Sequence, residues 1–198
     1  MLGFGIYTAN TKGWKKFSLS YPIKLFTYFH LRPEVKEHFD IKGIEDCPTH
    51  SFIYGERTES GGQQIFEANP TIQLRYDSYG NNARRFSYCK DHRTVKNIEG
   101  YIKLVKEKNG RVYPFWEWLN FIRRALMWWV FRTDIKGWHQ YFAWNDHCSE
   151  LTARDNYINP IPKFNEEIEA INFNVISPSD LLNASYTGIC NGEIIYER

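Results

Sequence analysis

The feature that most limits what this chain can fold into is a change of hydrophobic period near residue 97. Before it, short runs rich in β-branched and aromatic residues lie between turns carrying Gly, Asn or Pro, the pattern of strands. Gly3 to Ala9, Thr49 to Gly55, Gln64 to Ala68, Thr71 to Tyr76 and Arg85 to Cys89 are the predicted strands. The polar, Gly-bearing stretch Glu56 to Gly62 predicts a hairpin turn, and Gly80-Asn81-Asn82 a loop. From Asn97 onward Ile98, Tyr101, Ile102 and Val105 recur at helical spacing, with Asn109-Gly110 as a stop. A second helix follows Pro114, with Phe115, Trp118, Leu119, Ile122, Leu126 and Trp129 forming a wide apolar stripe. A third carries Cys148 and ends near Asn159-Pro160.

Outside these segments the signals are more local. Ser20-Tyr21-Pro22 predicts an early helix, because Ser caps and Pro suits the first turn. Residues 30–48, charged and with two prolines, read as a loop. Ile171 to Ile176 alternates like a strand, Ser177-Pro178-Ser179-Asp180 starts one short helical turn, and Tyr186 to Tyr196 accommodates a closing strand pair. With no repeat, low-complexity tract or linker, residues 1–198 read as a single α+β domain.

Composition narrows the function classes. A formal net charge of +2 is too small to predict a nucleic-acid partner, and no Gly-rich phosphate-binding loop is present. No basic region followed by a long apolar run opens the chain, and the longest apolar run, Ala125 to Phe131, is far short of a bilayer span. Four widely spread cysteines (Cys47, Cys89, Cys148, Cys190) do not resemble a disulfide framework, so the expectation is a soluble, reduced, cytoplasmic protein. Aromatics are in excess, at 17%. The segment 115–132, with Trp116, Trp118, Trp128 and Trp129 beside Arg123, Arg124 and Arg132, packs in a core, lines a cleft or lies on a membrane surface.

Chemistry concentrates at Asn145-Asp146-His147-Cys148-Ser149-Glu150-Leu151. Asn145 or Asp146 can cap a helix and put Cys148 at the positive end of its dipole, which favours thiolate over thiol. A buried structural cysteine fits the same pattern. A cysteine nucleophile needs a histidine that takes and returns a proton. Of the six histidines, His30 and His38 fall in charged, solvated sequence, and His92 has no evident partner. His139 and His147 lie near the cysteine, with His147 pointing away from it on a helix as a wall or oxyanion donor. His50 opens a strand whose hairpin partner carries Glu67 in an apolar setting, so the two can stand side by side and Glu67 can orient the imidazole. A strand-end His50 and a solvating Glu67 are the structural alternative.

The order Thr49-His50-Ser51-Phe52-Ile53-Tyr54-Gly55, then Ile65-Phe66-Glu67-Ala68, then Cys148-Ser149-Glu150-Leu151 resembles the circularly permuted papain-like cysteine hydrolases. The similarity is to the permuted NlpC-type branch, related to the lecithin:retinol acyltransferase group. Gly110-Arg111-Val112-Tyr113 and Pro178-Ser179-Asp180-Leu181 resemble further motifs of that branch, and the match spans nearly the whole chain. Phe4 stands where the family carries an acidic residue, and the stretch from Asp91 to Asn145 is longer and richer in Trp. The resemblance implies a permuted papain-like fold, a small antiparallel sheet packed against helices, with the nucleophile at a helix N-terminus. It also implies Cys148 as nucleophile, His50 as base and Glu67 as orienting acid, with no cofactor or metal. The expected reaction is acyl transfer from a peptide amide, such as a cell-wall peptide, or from a lipid acyl ester, through a thioester to water or an acceptor. The side-chain oxyanion donor is left open among His147, Asn145 and Tyr54. The Trp-rich run is then expected to form an apolar substrate wall beside Cys148, with peripheral membrane contact through 115–132.

Two rivals remain. Cys47-Pro-Thr-His50 and Cys89-Lys-Asp-His92 have the composition of a structural zinc site. A binding protein on the same scaffold, without turnover, is the other.

Overall fold

The computed structural model describes residues 3–8, 20–69, 71–77, 84–88, 95–112, 118–134, 147–158, 161–171 and 175–196. Strands β1 (Gly3–Thr8), β2 (His50–Arg57), β3 (Gln63–Ala68), β4 (Ile72–Tyr76) and β5 (Arg84–Tyr88) form one sheet in the order β4-β3-β2-β1-β5. Every neighbouring pair is antiparallel. The described helices are α1 (Ser20–His30), α2 (Pro33–His38), α3 (Val95–Lys108), α4 (Trp118–Phe131), α5 (Cys148–Ile158), α6 (Pro162–Glu169) and α7 (Pro178–Cys190). The chain is therefore α+β, as the change of period predicts. Among the described residues no helix is long and apolar enough to cross a membrane.

Register explains which residues make the core. Phe4 pairs with Ile53 and Ile53 with Phe66, so these three share a face. Phe4 and Ile6 join Val35, Phe164, Leu181 and Leu182 in one buried cluster. Ile53 and Phe66 join Tyr101 and Leu104 of α3 with Cys148 and Leu151 of α5 in a second. The intervening residues Phe52, Tyr54 and Ile65 make a third. Gly5 lies opposite Phe52, and a Cβ there would stand 2.7 Å from Phe52 Cζ and 3.3 Å from the Tyr54 hydroxyl. Gly5→Ala should therefore cost about 1–3 kcal/mol by forcing the ring aside. A lower urea midpoint at unchanged slope checks this, and an unchanged midpoint means that the ring yields freely.

Several local expectations are corrected. Residues 30–48 are not a plain loop: Pro33 starts α2 after an extended Arg32, and residues 44–46 form a 3-10 turn. Leu31, Val35 and Phe39 recur every four residues and are buried, while the charges face outward. Ser177–Asp180 is a capping box that opens a 13-residue helix rather than a single turn. The expected strand pair at Tyr186–Tyr196 is the end of α7 and a tail folded back on it. A Gly188 Cβ would sit 2.7 Å from Ile194 Cδ1, so only glycine admits that tail. Ile171, Val175 and Ile176 are not in a strand. Helix α6, begun by Pro162, had no counterpart in the expectation. The Gly80–Asn82 loop and Pro114 lie outside the described residues.

Candidate active site

Helix α5 begins at Cys148, and the Leu151 amide closes its first turn on the His147 carbonyl at 2.8 Å. His147 is thus the N-cap residue, while Asn145 and Asp146, the expected caps, lie outside the described residues. The Cys148 amide is one of the amides that an α-helix leaves unpaired in its first turn, at the positive end of the dipole. One turn on, the Thr152 hydroxyl donates to the Cys148 carbonyl at 3.0 Å and lies 2.9 Å from Ser51 Oγ. That buried contact pins the start of α5 to the start of β2.

At the same place the sheet opens. The β2–β3 register runs back only to Ile53 opposite Phe66, although β2 starts at His50 and β3 ends at Ala68. In the parted stretch the Ser51 amide hydrogen-bonds Cys148 Sγ. His50 and Glu67 occupy the parted ends, with His50 Nε2 2.7 Å from Glu67 Oε2. Glu67 is fully buried, and its other oxygen accepts a short bond from Arg75 Nε. Glu67 pairs with Gln73 on β4, so Arg75 stands two residues along on the same face. With Nε2 held by Glu67, the same imidazole makes a side-chain hydrogen bond to Cys148.

Burial opposes charge on both Cys148 and His50, and the neighbours outweigh it. Burial would push the Cys148 thiol up, but His50, His147 and the Ser51 amide bring it down to about 6. Burial likewise disfavours a charged His50, yet the Cys148 thiolate and the Glu67 carboxylate raise it to about 9. Between those values the pair is thiolate and imidazolium.

The structure thus brings together Cys148, His50 and Glu67. It corrects other histidine expectations. His30 is partly buried, with Nδ1 3.1 Å from Ser179 Oγ and Nε2 3.0 Å from Asp134 Oδ2. His38 is half-buried among Phe39, Tyr186 and Tyr196. His147 Nε2 lies 2.8 Å from the Ile176 carbonyl, and Nδ1 lies 3.4 Å from Glu150 Oε2. Tyr54 packs with Phe52 and Ile65, apart from the cluster holding Cys148. Asn145, His92, Cys89 and His139 lie outside the described residues. Among the described residues no group of three or more His, Cys, Asp or Glu could hold a metal. His50 is committed to Glu67 and Cys148, and Cys47 Sγ lies 3.7 Å from the Gly43 carbonyl.

The described part of the Trp-rich segment does something unforeseen. Arg124 is fully buried and binds Asp180, Asp134 and the Val175 carbonyl, so it is not available to a lipid surface. Trp128 packs on Phe26 and Phe29 of α1, and Arg132 lies 5.1 Å from the Trp128 ring centre. The described apolar wall at Cys148 comes instead from α3 and the sheet. Arg75, Arg124 and the Ser51 amide carried no sequence signal, because nothing in a single strand or helix says which partner a distant fold will bring.

Comparisons with protein-family models, with curated proteins and with solved structures give no match.

Proposed function

We propose that this protein is a cysteine-dependent hydrolase or acyltransferase on a permuted papain-like scaffold, acting on a peptide amide or an acyl ester. The observation that carries the reading is the relay Cys148–His50–Glu67, with the cysteine on the first residue of a helix. The Cys148 thiolate attacks the carbonyl carbon, and the Cys148 amide at the helix N-terminus meets the developing oxyanion. The imidazolium, held by Glu67, gives its Nδ1 proton to the departing nitrogen or oxygen as the C–N or C–O bond breaks. Water or an acceptor hydroxyl or amine then loses a proton to His50 as it attacks the thioester, which regenerates the thiolate.

The exposed Trp129, Val130 and Phe131 of α4 support an apolar acyl group or a lipid surface as partner. An apolar groove of about 150 Å³ between Leu25 and Phe26 of α1 and Ile122, Leu126 and Trp129 of α4 adjoins them. The free thiols of Cys148 and Cys190 support a reducing, cytoplasmic setting.

Iodoacetamide at pH 6.5 tests the nucleophile. Cys148 should alkylate roughly tenfold faster than Cys47 or Cys190, read by peptide mass, because a thiol near 6 is mostly ionised there and an ordinary one is not. A Cys148 no faster than the others would sink the enzyme reading. With a substrate in hand, kcat/KM should rise through about pH 6 and fall through about pH 9, the limits of the thiolate–imidazolium pair.

A further inference from the structure

Cys148 has a second histidine beside it, and that one is not free to exchange its proton with a substrate. His147 Nε2 lies 2.8 Å from the Ile176 carbonyl, which can only accept. Its Nδ1 lies 3.4 Å from Glu150 Oε2, and the other oxygen of Glu150 accepts from Arg154 Nη2 at 2.7 Å. A carboxylate oxygen, too, only accepts. A ring set between these two oxygens is placed as an imidazolium would be, although the Nδ1 contact is an ion pair and not a hydrogen bond.

We propose that His147, with Glu150 as its counter-ion, is a standing imidazolium that stabilises the Cys148 thiolate independently of His50, which leaves His50 free to move protons. The proposal rests on Cys148 being the nucleophile. His147 acts through Cys148 and not on substrate, so it is a positioning residue.

Among the described residues, His50 and the Ser51 amide approach the sulfur from β2, and His147 and Ser149 Oγ, at 3.9 Å, from α5. The sheet and α3 add apolar residues of the same cluster, among them Ile53, Phe66, Tyr101 and Leu104. His147 itself is faced by Glu150, Cys148 and the Ile176 carbonyl on the segment leading into α7. Among the described residues the charged groups at the sulfur are thus two histidines, with Glu67 behind one and Glu150 behind the other. In an ordinary Cys–His pair, removing the histidine returns the thiol to its usual value. Here it should not.

The motif carries a signal for this arrangement. In Cys148-Ser149-Glu150 the acid is the third residue of the helix, where a glutamate reaches back to the N-cap residue. Here that N-cap residue is a histidine, so the capping acid also fixes a charge.

The test is the pH dependence of Cys148 alkylation by iodoacetamide in the full chain. Wild type should reach half its limiting rate near pH 6. His147→Gln should move that midpoint up by about one unit, which slows labelling about tenfold below it and leaves the high-pH limit unchanged. Glu150→Gln should shift it the same way by less. His50→Ala should keep Cys148 more reactive than Cys47 and Cys190. A folded His147→Gln protein with the wild-type profile overturns the inference, as does one slowed equally at every pH. Because either variant could fail to fold, the wild-type protein is also read directly by imidazole nitrogen NMR. His147 protonated on both nitrogens at pH 7.5 supports the proposal, and a neutral tautomer overturns it. Should wild-type Cys148 prove no more reactive than the other cysteines, the nucleophile reading fails; a reactive wild type with an indifferent His147 sinks only this inference.

Discussion

Cys148→Ala should abolish turnover, lowering kcat by roughly 10⁴-fold or more, because no other described group at the site can carry the acyl intermediate. The thiol is small and packed with Ile53, Phe66 and Leu151, so its loss should hardly change the fold. His50→Ala should be about as severe for turnover, since the leaving group then has no proton donor. The two losses should not add in the double variant, as the residues act as one unit. Burst kinetics with a chromogenic acyl ester, followed by intact mass, check this: wild type should carry one acyl group on Cys148 and Cys148→Ala none. Residual turnover within tenfold of wild type would place the chemistry elsewhere.

Arg124→Leu should be the most damaging substitution to stability, costing about 3–5 kcal/mol, the usual penalty for removing one partner of a buried ion pair. Arg124 is fully buried and its guanidinium binds both oxygens of Asp180, both of Asp134 and the Val175 carbonyl. Without it the Asp180 carboxylate, which also accepts from the Ser177 amide and hydroxyl, is left buried with no guanidinium to offset its charge. For a chain of this size the loss corresponds to a fall in Tm of about 6–20 °C, read by calorimetry.

The pH dependence of this cluster has a definite sign. Burial would raise Asp180 and Asp134, yet Arg124 and His30 hold both well below the usual carboxylate range. A folded value below the unfolded one gives stability that is present above about pH 4 and lost as pH falls further. Wild type should therefore lose stability on acidification. Arg124→Leu should lose less, because its buried carboxyls already favour the neutral form, and the gap between the two proteins should narrow below pH 4. A constant gap would mean that Arg124 contributes by packing on Phe26, 5.6 Å away, and not by charge.

The same cluster shows how the candidate site is tied to the rest of the fold. Val175 and Ile176 offer consecutive carbonyls, one to Arg124 and the next to His147. Asp180, which caps α7 through Ser177, holds that segment from the other side. The turn Pro178-Ser179-Asp180-Leu181 was notable in the sequence only as a likeness to a family motif. In the structure its aspartate anchors the backbone on which His147 rests.

Sequence alone was enough for everything that depends on near neighbours. Strand period, the Thr58–Gly62 turn, Pro at the start of α1 and the Gly110 stop are interactions within a few residues, and they put most elements within a residue or two of where they lie. It misjudged α2 and α7, where a charged stretch and a β-branched tail concealed helices that only burial of one face makes stable. For the candidate site, the order of His50, Glu67 and Cys148 and their types were legible, since one strand pair and one helix start carry them. Tertiary structure alone decided the partners: Arg75 on Glu67, the Ser51 amide on Cys148, Ile176 on His147, and Arg124 turned inward. Apart from Arg75, which reaches Glu67 from the next strand, each of these joins elements far apart in the chain, and the energy that selects it is desolvation of a buried charge. That energy exists only once the surrounding surfaces have closed.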